Sequence, residues 1–381
     1  MSGRIYHIGL DARPLTSSLS GVARVISRVL LHFPEPDRFH FHLFASRAWH
    51  PDFDEVVALK NCSWVQGSGW TSRRAGLWFN LSLPLYLRRN AIDLFWGSQQ
   101  VLPPFLPRRL PTVLTYYDLV LYLFPAAMRP LARLQQRLVQ SMSVSRAGRI
   151  LSISDQTRQA MIKQFDYPPG QAGLCLLGYE KRAAEKKPAA VTGQLKAQLG
   201  FTPRHNFIFA VSTLEPRKNY GTLIDAHYQA WQEGLKLPLV IAGRRGWESP
   251  EFFARLEGYQ SRGWPCTVLE NLSDAQIDAL YRRAAFFCIP SLYEGFGLSL
   301  LEALCNGCPA LASDIPCFHE IGGEMARYLP ATSVGAWKEA LLDYAGRLRT
   351  GRLRRVRFPT RVWSWERTAR AHLEAFQALL G

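Results

Sequence analysis

Glu294 and Glu302 are separated by seven residues within the segment "YEGFGLSLLEALCNG". Gly295, Phe296 and Gly297 follow the first glutamate directly, and an apolar, helix-favouring run opens at Leu298. A glycine-rich turn that enters a helix exposes main-chain N–H groups without intrahelical partners, and the helix dipole favours negative charge at that end. Gly295 and Gly297 let the backbone approach a ligand closely. The chemistry implied is a seat for a diphosphate built from main chain. Glu302 falls one to two turns into the helix, where a carboxylate accepts hydrogen bonds from sugar hydroxyls. A G-x-G turn alone also serves a plain tight corner, so a second signal must decide.

That signal is "FIFAVSTLEPRKNYGTLIDAH", which reads as a strand, a loop holding Arg217 and Lys218, and a helix. In open parallel sheets ligands bind beyond the carboxyl ends of the strands, and cations there neutralise phosphate. Neighbouring residues on a helical turn diverge by about 100°, so one of the two cations is expected to face the ligand. Lys218 is assigned to the phosphates. Arg217 supports it or pairs with an acid.

These residues need a scaffold, and the chain supplies the pattern for one. Short apolar runs alternate with amphipathic helical stretches, the signature of parallel sheets covered by helices. Strands are expected at 5–10, 39–44, 94–96, 112–115 and 149–153, and again at 207–212, 239–242, 267–269, 286–289 and 309–312. Helices are expected at 22–32, 220–233, 274–284, 298–306 and 363–380. The fold class is α/β with two Rossmann-like lobes. The charged, alanine-rich stretch 180–193, broken by Pro188, reads as the linker between them. The lobes are placed at 1–185 and 186–358, with 359–381 as a terminal segment whose helix packs back on the first lobe.

The chain of 381 residues carries 46 Lys+Arg against 30 Asp+Glu, a formal charge of +16. Residues 1–190 hold 24 basic and 12 acidic residues, and the remainder 22 and 18. The basic first half implies an anionic partner, namely a membrane surface, a phosphate-bearing substrate or nucleic acid. Solubility alone is the bland alternative. In 73–89, Trp78, Phe79, Leu81, Leu83, Leu85 and Tyr86 are bracketed by Arg73, Arg74, Arg88 and Arg89, a composition suited to an anionic headgroup region. Pro84 weakens any continuous helix there, and a core helix plus loop is the competing reading. Arg129, Arg133 and Arg137 recur every four residues and would extend the basic surface, or form a solvated face.

Seven cysteines without a disulfide-like framework suit a reducing compartment. Cys305 and Cys308, near Cys317 and His319, read as small buried thiols in preference to a zinc site. The N-terminus lacks the features of a signal peptide, and no run of about 20 apolar residues occurs. The expected protein is soluble or peripheral.

Taken together, Glu215-Pro216-Arg217-Lys218-Asn219, Glu294-Gly295-Phe296-Gly297 and Glu302 resemble the motifs of family 4 glycosyltransferases. "SGVARVISRVLL" from Ser20, "LTYYDLVLYLFP" from Leu114 and "ILSISDQTRQAMI" from Ile150 extend the resemblance over nearly the whole chain. It implies the GT-B fold, with the donor site in the cleft between the lobes, and metal-independent transfer that retains anomeric configuration without a cofactor. By the same resemblance Glu294 lies beside the donor sugar near its reacting carbon, Glu302 holds the ribose hydroxyls, and Lys218 binds the diphosphate. Gly295, Phe296, Gly297 and Leu298 form the main-chain seat. Gly21 belongs to the first β–α loop, which closes over the diphosphate, and Arg24 touches phosphate or acceptor.

Two departures stand out. Many relatives carry a further arginine at the strand end where this chain has Ser212. Relatives often have histidine, directed at the donor 6-hydroxyl, where this chain has Tyr117. The bulkier tyrosine suits a 6-deoxyhexose such as rhamnose, or simply packs in the wall. Asp118 is a candidate proton acceptor or a structural residue, and no dedicated general base is assigned.

The resemblance therefore implies a mannosyl- or rhamnosyltransferase-like enzyme. Its donor is a nucleotide-diphosphate sugar, with GDP favoured, and its acceptor a lipid-linked glycan in O-antigen-type polysaccharide assembly. The expected location is cytoplasmic, peripheral to the inner membrane face, in contact with anionic lipid and not with nucleic acid. A GT-B sugar epimerase or phosphorylase is the nearer alternative. A basic nucleic-acid-binding or scaffold protein is the distant one, and no stacking-aromatic RNA motif supports it.

Overall fold

The computed structural model describes residues 4–124, 130–180, 188–246 and 248–381. The chain forms two compact units, one of Met1–Gly178 with Trp363–Gly381 and the other of Tyr179–Val362.

The first unit holds seven parallel strands: β1 Tyr6–Asp11, β2 Phe39–Ala45, β3 Cys62–Gln66, β4 Leu94–Gly97, β5 Thr112–Tyr116, β6 Arg149–Ser152 and β7 Ala172–Leu174. Their order is β3-β2-β1-β4-β5-β6-β7. The second holds six, also parallel: β8 Ile208–Val211, β9 Leu239–Ala242, β10 Cys266–Leu269, β11 Phe286–Ile289, β12 Ala310–Ser313 and β13 Ala326–Leu329, in the order β10-β9-β8-β11-β12-β13. Central strands such as β4, β5, β9 and β11 are buried at every position. A parallel sheet covered on both faces demands such continuous apolar runs.

In each sheet the strand order reverses once, between β1 and β4 and between β8 and β11. Two loops diverge there and open a crevice at the carboxyl ends of the strands. The three strands that sequence reading missed, β3, β7 and β13, are all outermost in their sheets. Edge position explains the miss, because only one face or part of one needs apolar residues.

The helix Trp365–Leu380 packs on the first unit, with Phe376 against Phe33, Phe39, Phe41 and Trp96. Thr368 Oγ1 donates to the Leu176 carbonyl at 2.6 Å. A Cβ on Gly178 would stand 2.4 Å from the Trp365 nitrogen, so the chain needs glycine where this helix docks.

Two expectations are corrected. The helix Pro188–Leu199 begins inside the stretch read as linker, with Pro188 at its start. That placement is the one proline tolerates, since the first turn needs no N–H donor; 181–187 lie outside the described residues. Pro84 does not break the helical path either. Helical segments Ala75–Leu77, Trp78–Ser82 and Leu83–Arg89 follow one another directly, and the middle one has the wide π pitch. The wider turn just ahead of Pro84 accommodates the ring and the missing donor.

Candidate functional site

The crevice of the second sheet is lined by the loop after β8, containing the turn Pro216–Lys218, and the loop after β11, containing Ser291 to Gly297. Main chain stitches the two together. Leu292 N donates to the Arg217 carbonyl at 2.8 Å. Asn219 Nδ2 donates to the carbonyls of Pro290 at 3.0 Å and Ala331 at 2.7 Å. Asn219 has φ 55° and ψ 37°, a left-handed conformation that asparagine tolerates better than most residues. Sequence reading quoted Asn219 inside the motif without seeing this role. The signal available was an asparagine directly before a helix.

This stitching brings Lys218 and Glu294 together across the crevice. Lys218 Nζ lies 2.5 Å from Glu294 Oε1, and Arg217 Nη1 lies 2.9 Å from Oε2. Ser291 Oγ donates to Oε1 at 2.8 Å, and Arg217 Nε reaches Glu215 Oε1 at 2.7 Å. Glu294 is 7% exposed. Burial alone would raise its pKa, but Lys218 and then Arg217 outweigh it and hold the carboxyl at about 2. Glu215, also buried, is shifted upward by desolvation, which the same two cations offset only in part.

The divergence expected of Arg217 and Lys218 is not observed. Their turn is a single 3₁₀ turn, and both long side chains fold back onto opposite oxygens of one carboxylate. Arg217 does pair with acids, as one branch of the expectation held. Ser212, at the end of β8, uses its hydroxyl on the Tyr220 hydroxyl at 2.9 Å.

Beyond Glu294 the chain turns through Gly295 and Phe296, both buried, into the helix Leu298–Cys305. Gly297 caps it at φ 111° with no side-chain cap. A Cβ there would meet the Phe318 ring at 2.7 Å, so both backbone conformation and space require glycine. The first-turn N–H groups at Leu298 therefore have no side-chain acceptor of the usual capping kind. Glu302, half-buried on the same helix, accepts a hydrogen bond from the Tyr281 hydroxyl at 3.2 Å. Glu294, Lys218, Gly297 and Glu302 thus lie in one unit, Lys218 in contact with Glu294, and Gly297 and Glu302 on the turn and helix that follow it.

In the first unit the reversal between β1 and β4 carries a cluster that sequence reading missed. Arg13 makes a paired contact with the fully buried Asp11, Nε to Oδ1 and Nη2 to Oδ2, both at 2.8 Å. Gln99 Nε2 joins Oδ2 at 3.0 Å from the loop after β4. Beside them a cavity of about 480 Å³ is lined by residues including Arg13, Ser17, Ser20, Val22, Arg47 and Gln99. The available signal was "LDAR", an acid and a cation where the first strand ends.

Gly21 opens the helix Gly21–Leu31 beside this cavity, is exposed, and has nothing within 4 Å of a built Cβ. Arg24 lies within the first turn, partly exposed and outside the cavity lining. Tyr117 is 8% exposed, and its hydroxyl is buried without a hydrogen-bond partner among the described residues. Burial, Cys175 and Asp11 together keep its phenol well above the usual pKa. Asp118 Oδ1 accepts from Val120 N at 3.0 Å, a local capping role.

All seven cysteines are free thiols. Among the described residues no group of three or more His, Cys, Asp or Glu is placed to hold a metal ion, and no helix is long and apolar enough to cross a membrane.

Comparison with known proteins bears on both units. Residues 19–173 match the family model Glycosyltransferase Family 4, and residues 192–343 match Glycosyl transferases group 1. O-antigen chain mannosyltransferase B of Escherichia coli is 29% identical over 243 residues, covering 63% of this chain and 62% of that protein. The match therefore spans less than two thirds of that relative's length. O-antigen chain mannosyltransferase RfbU of Salmonella typhimurium is 23% identical over 303 residues, 77% of this chain and 78% of that one. Among solved structures, Anabaena Alr3699/HepE in complex with UDP and glucose superposes with a TM-score of 0.64 at 17% identity, covering 98% of this chain and 95% of that one. WaaG, a glycosyltransferase involved in lipopolysaccharide biosynthesis, gives 0.65 at 17% identity, with 97% and 95% covered. At such identities the structural likeness speaks for the fold.

Proposed function

From a chain that belongs to the family 4 glycosyltransferases of GT-B fold, we propose an enzyme that moves a mannose-type or 6-deoxy, rhamnose-type sugar from a nucleotide-diphosphate donor to a lipid-linked glycan. The donor nucleotide is GDP and the setting O-antigen-type polysaccharide assembly, a reading supported by the O-antigen mannosyltransferases among its relatives. The observation that carries the proposal is the meeting of Lys218 and Arg217 with Glu294 at the strand-order reversal, beside a helix start with no side-chain cap.

Departure of a diphosphate develops negative charge that fixed donors must stabilise. Lys218, Arg217 and the amides at Leu298 provide such charge. Glu294 pairs with both cations. The incoming diphosphate takes over part of that pairing, and the freed carboxylate turns to the sugar hydroxyls while Glu302 holds the ribose. The bond from sugar C1 to the diphosphate breaks, the acceptor hydroxyl attacks from the face the leaving group vacates, and its proton passes to a leaving phosphate oxygen. Configuration is retained, and no covalent glycosyl-enzyme forms.

The basic first unit serves an acceptor held at an anionic membrane, with the arginine-bracketed stretch 73–89 at its surface. The experiment is a transfer assay on GDP-mannose, GDP-rhamnose, UDP-glucose and dTDP-rhamnose, paired with thermal shift by each nucleotide. Stabilisation and turnover confined to GDP sugars support the reading. Stabilisation by UDP or dTDP and not by GDP overturns the donor, and a donor converted without acceptor to an epimer overturns the reaction class.

A further inference from the structure

The helix Pro130–Arg146 covers the first sheet with Gln140, Ser143 and Val144 turned inward. On its opposite face Leu134, Leu138 and Met142 recur every fourth residue, about 40° apart around the axis, and are 56%, 58% and 55% exposed. A surface helix normally turns charged and polar residues to that side. Among the described residues, 12 of the 14 large apolar side chains left exposed belong to the first unit, so the second unit cannot account for the excess.

This stripe continues sideways. Residues 102–110 lie between the helices Leu83–Arg89 and Pro130–Arg146 and share a core with both, through Leu83, Leu87, Leu102, Leu106 and Val144. Arg146 Nη2 donates to the carbonyls of Pro107 at 2.8 Å and Leu110 at 2.7 Å, and Arg88 Nη2 to that of Phe105 at 3.5 Å. The outward side chains of this layer include Leu85 at 51% and Phe105 at 58% exposure. Exposed arginines at 73, 74, 88, 89, 108 and 109 accompany them. Across 70–110 and 130–146 there are nine arginines and one acid, Asp93, which pairs with Arg4. Arg129, expected to extend this surface, lies outside the described residues.

We propose that this layer is a two-helix face that docks on an anionic lipid bilayer, with Leu134, Leu138, Met142 and Phe105 entering the acyl boundary and the arginines meeting the headgroups. It deepens the membrane part of the proposed function and moves the inserting element from 73–89 alone to the Pro130–Arg146 helix. Charge selects the occupant. Apolar side chains inside a cationic field fit a negatively charged, fluid apolar phase, whereas a second copy of the same face would set arginine against arginine.

The test is co-sedimentation of the full chain with vesicles of phosphatidylethanolamine and phosphatidylglycerol in equal parts, and with vesicles of phosphatidylcholine alone. Wild type binds the anionic vesicles and not the neutral ones. Joint replacement Leu134→Ser, Leu138→Ser and Met142→Ser lowers the partition coefficient on the order of tenfold, while the thermal midpoint and its increase with GDP stay at wild-type values. Joint replacement Arg88→Ser, Arg89→Ser and Arg108→Ser does the same and weakens the salt dependence. Equal binding to neutral vesicles, no binding at all, or a triple serine variant that binds like wild type overturns the proposal. So does a concentration-dependent dimer that the serine triple abolishes, since that assigns the stripe to self-association. The GDP shift is read without vesicles, so its absence with vesicle binding intact overturns the GDP-donor reading and leaves the surface standing.

Discussion

Lys218 Nζ sits 2.5 Å from Glu294 Oε1, although 76 positions separate them in the chain. The contact spans the one reversal of strand order in the second sheet, so it joins the loops that fold topology leaves open for a ligand. Arg217 fills the other oxygen at 2.9 Å, which makes the carboxylate a stand-in for the anion these cations receive in the proposed reaction.

From this follows a separation of binding from turnover. In Glu294→Gln the cations lose their internal competitor, so GDP, which brings no sugar, binds about threefold to tenfold more tightly. Transfer falls by about 10²–10³, the scale of losing one preorganised polar group at a reacting centre. Calorimetric titration with GDP and initial-rate measurements check the two halves. GDP affinity that falls in step with turnover would place Glu294 on the nucleotide itself.

Acid sensitivity is the second expectation. Glu294 is held at about 2 when folded, against 4.5 as its ordinary value. The unfolded chain therefore binds the proton more readily between those values. The stabilisation is complete above pH 4.5 and drains away as pH falls toward 2. Lys218→Met removes the strongest attraction and raises the folded pKa, so less of this stabilisation remains to be lost on the acid side. The buried carboxylate also loses a partner at neutral pH, at a cost on the order of 3 kcal/mol. Urea midpoints across the acid range show both effects. A variant whose midpoint follows wild type throughout would deny the pairing.

How much of this was legible beforehand differs by distance along the chain. The strands with uninterrupted apolar runs, β8, β9 and β11 among them, announced themselves because both faces of a parallel sheet are covered. Outermost β13, "ARYL", has an intermediate burial pattern and no such run. The Glu294-to-Glu302 spacing and the glycine turn are local and could be read. The meeting of Arg217 with Glu294 could not, because it depends on Asn219 and Leu292 stitching two loops. The Asp11, Arg13 and Gln99 cluster was hidden for the same reason, with Gln99 arriving from 88 positions away.

Two glycines separate conformational need from mere presence. Gly297→Ala must hold φ 111° and push its methyl into the Phe318 ring. We expect a loss of about 1–3 kcal/mol from the backbone conformation alone, more with the clash, and a GDP shift near zero because the helix start moves. Gly21→Ala meets nothing within 4 Å and sits in a right-handed helix start, so its stability changes by no more than about 0.5 kcal/mol. Thermal melts of the pair with and without GDP decide it, and equal losses would mean that Gly297 is not under the strain described.

Tyr117 supplies the last expectation because its hydroxyl is buried yet has no partner among the described residues. A buried hydroxyl without a hydrogen bond carries a desolvation penalty of about 1–3 kcal/mol, which Tyr117→Phe relieves. The phenylalanine variant should therefore melt at or above the wild-type temperature. On the proposed donor reading, Tyr117→Phe and Tyr117→His alter the preference between GDP-rhamnose and GDP-mannose. Histidine, smaller and able to donate from a ring nitrogen, should shift it toward the sugar that keeps its 6-hydroxyl, by roughly tenfold in the ratio of kcat/KM, a change worth about 1.4 kcal/mol. Side-by-side competition between the two donors reads that ratio directly. A stabilised Tyr117→Phe with an unchanged donor ratio in both variants would reduce Tyr117 to a packing residue and withdraw the 6-deoxy reading, while leaving the diphosphate seat around Lys218 untouched.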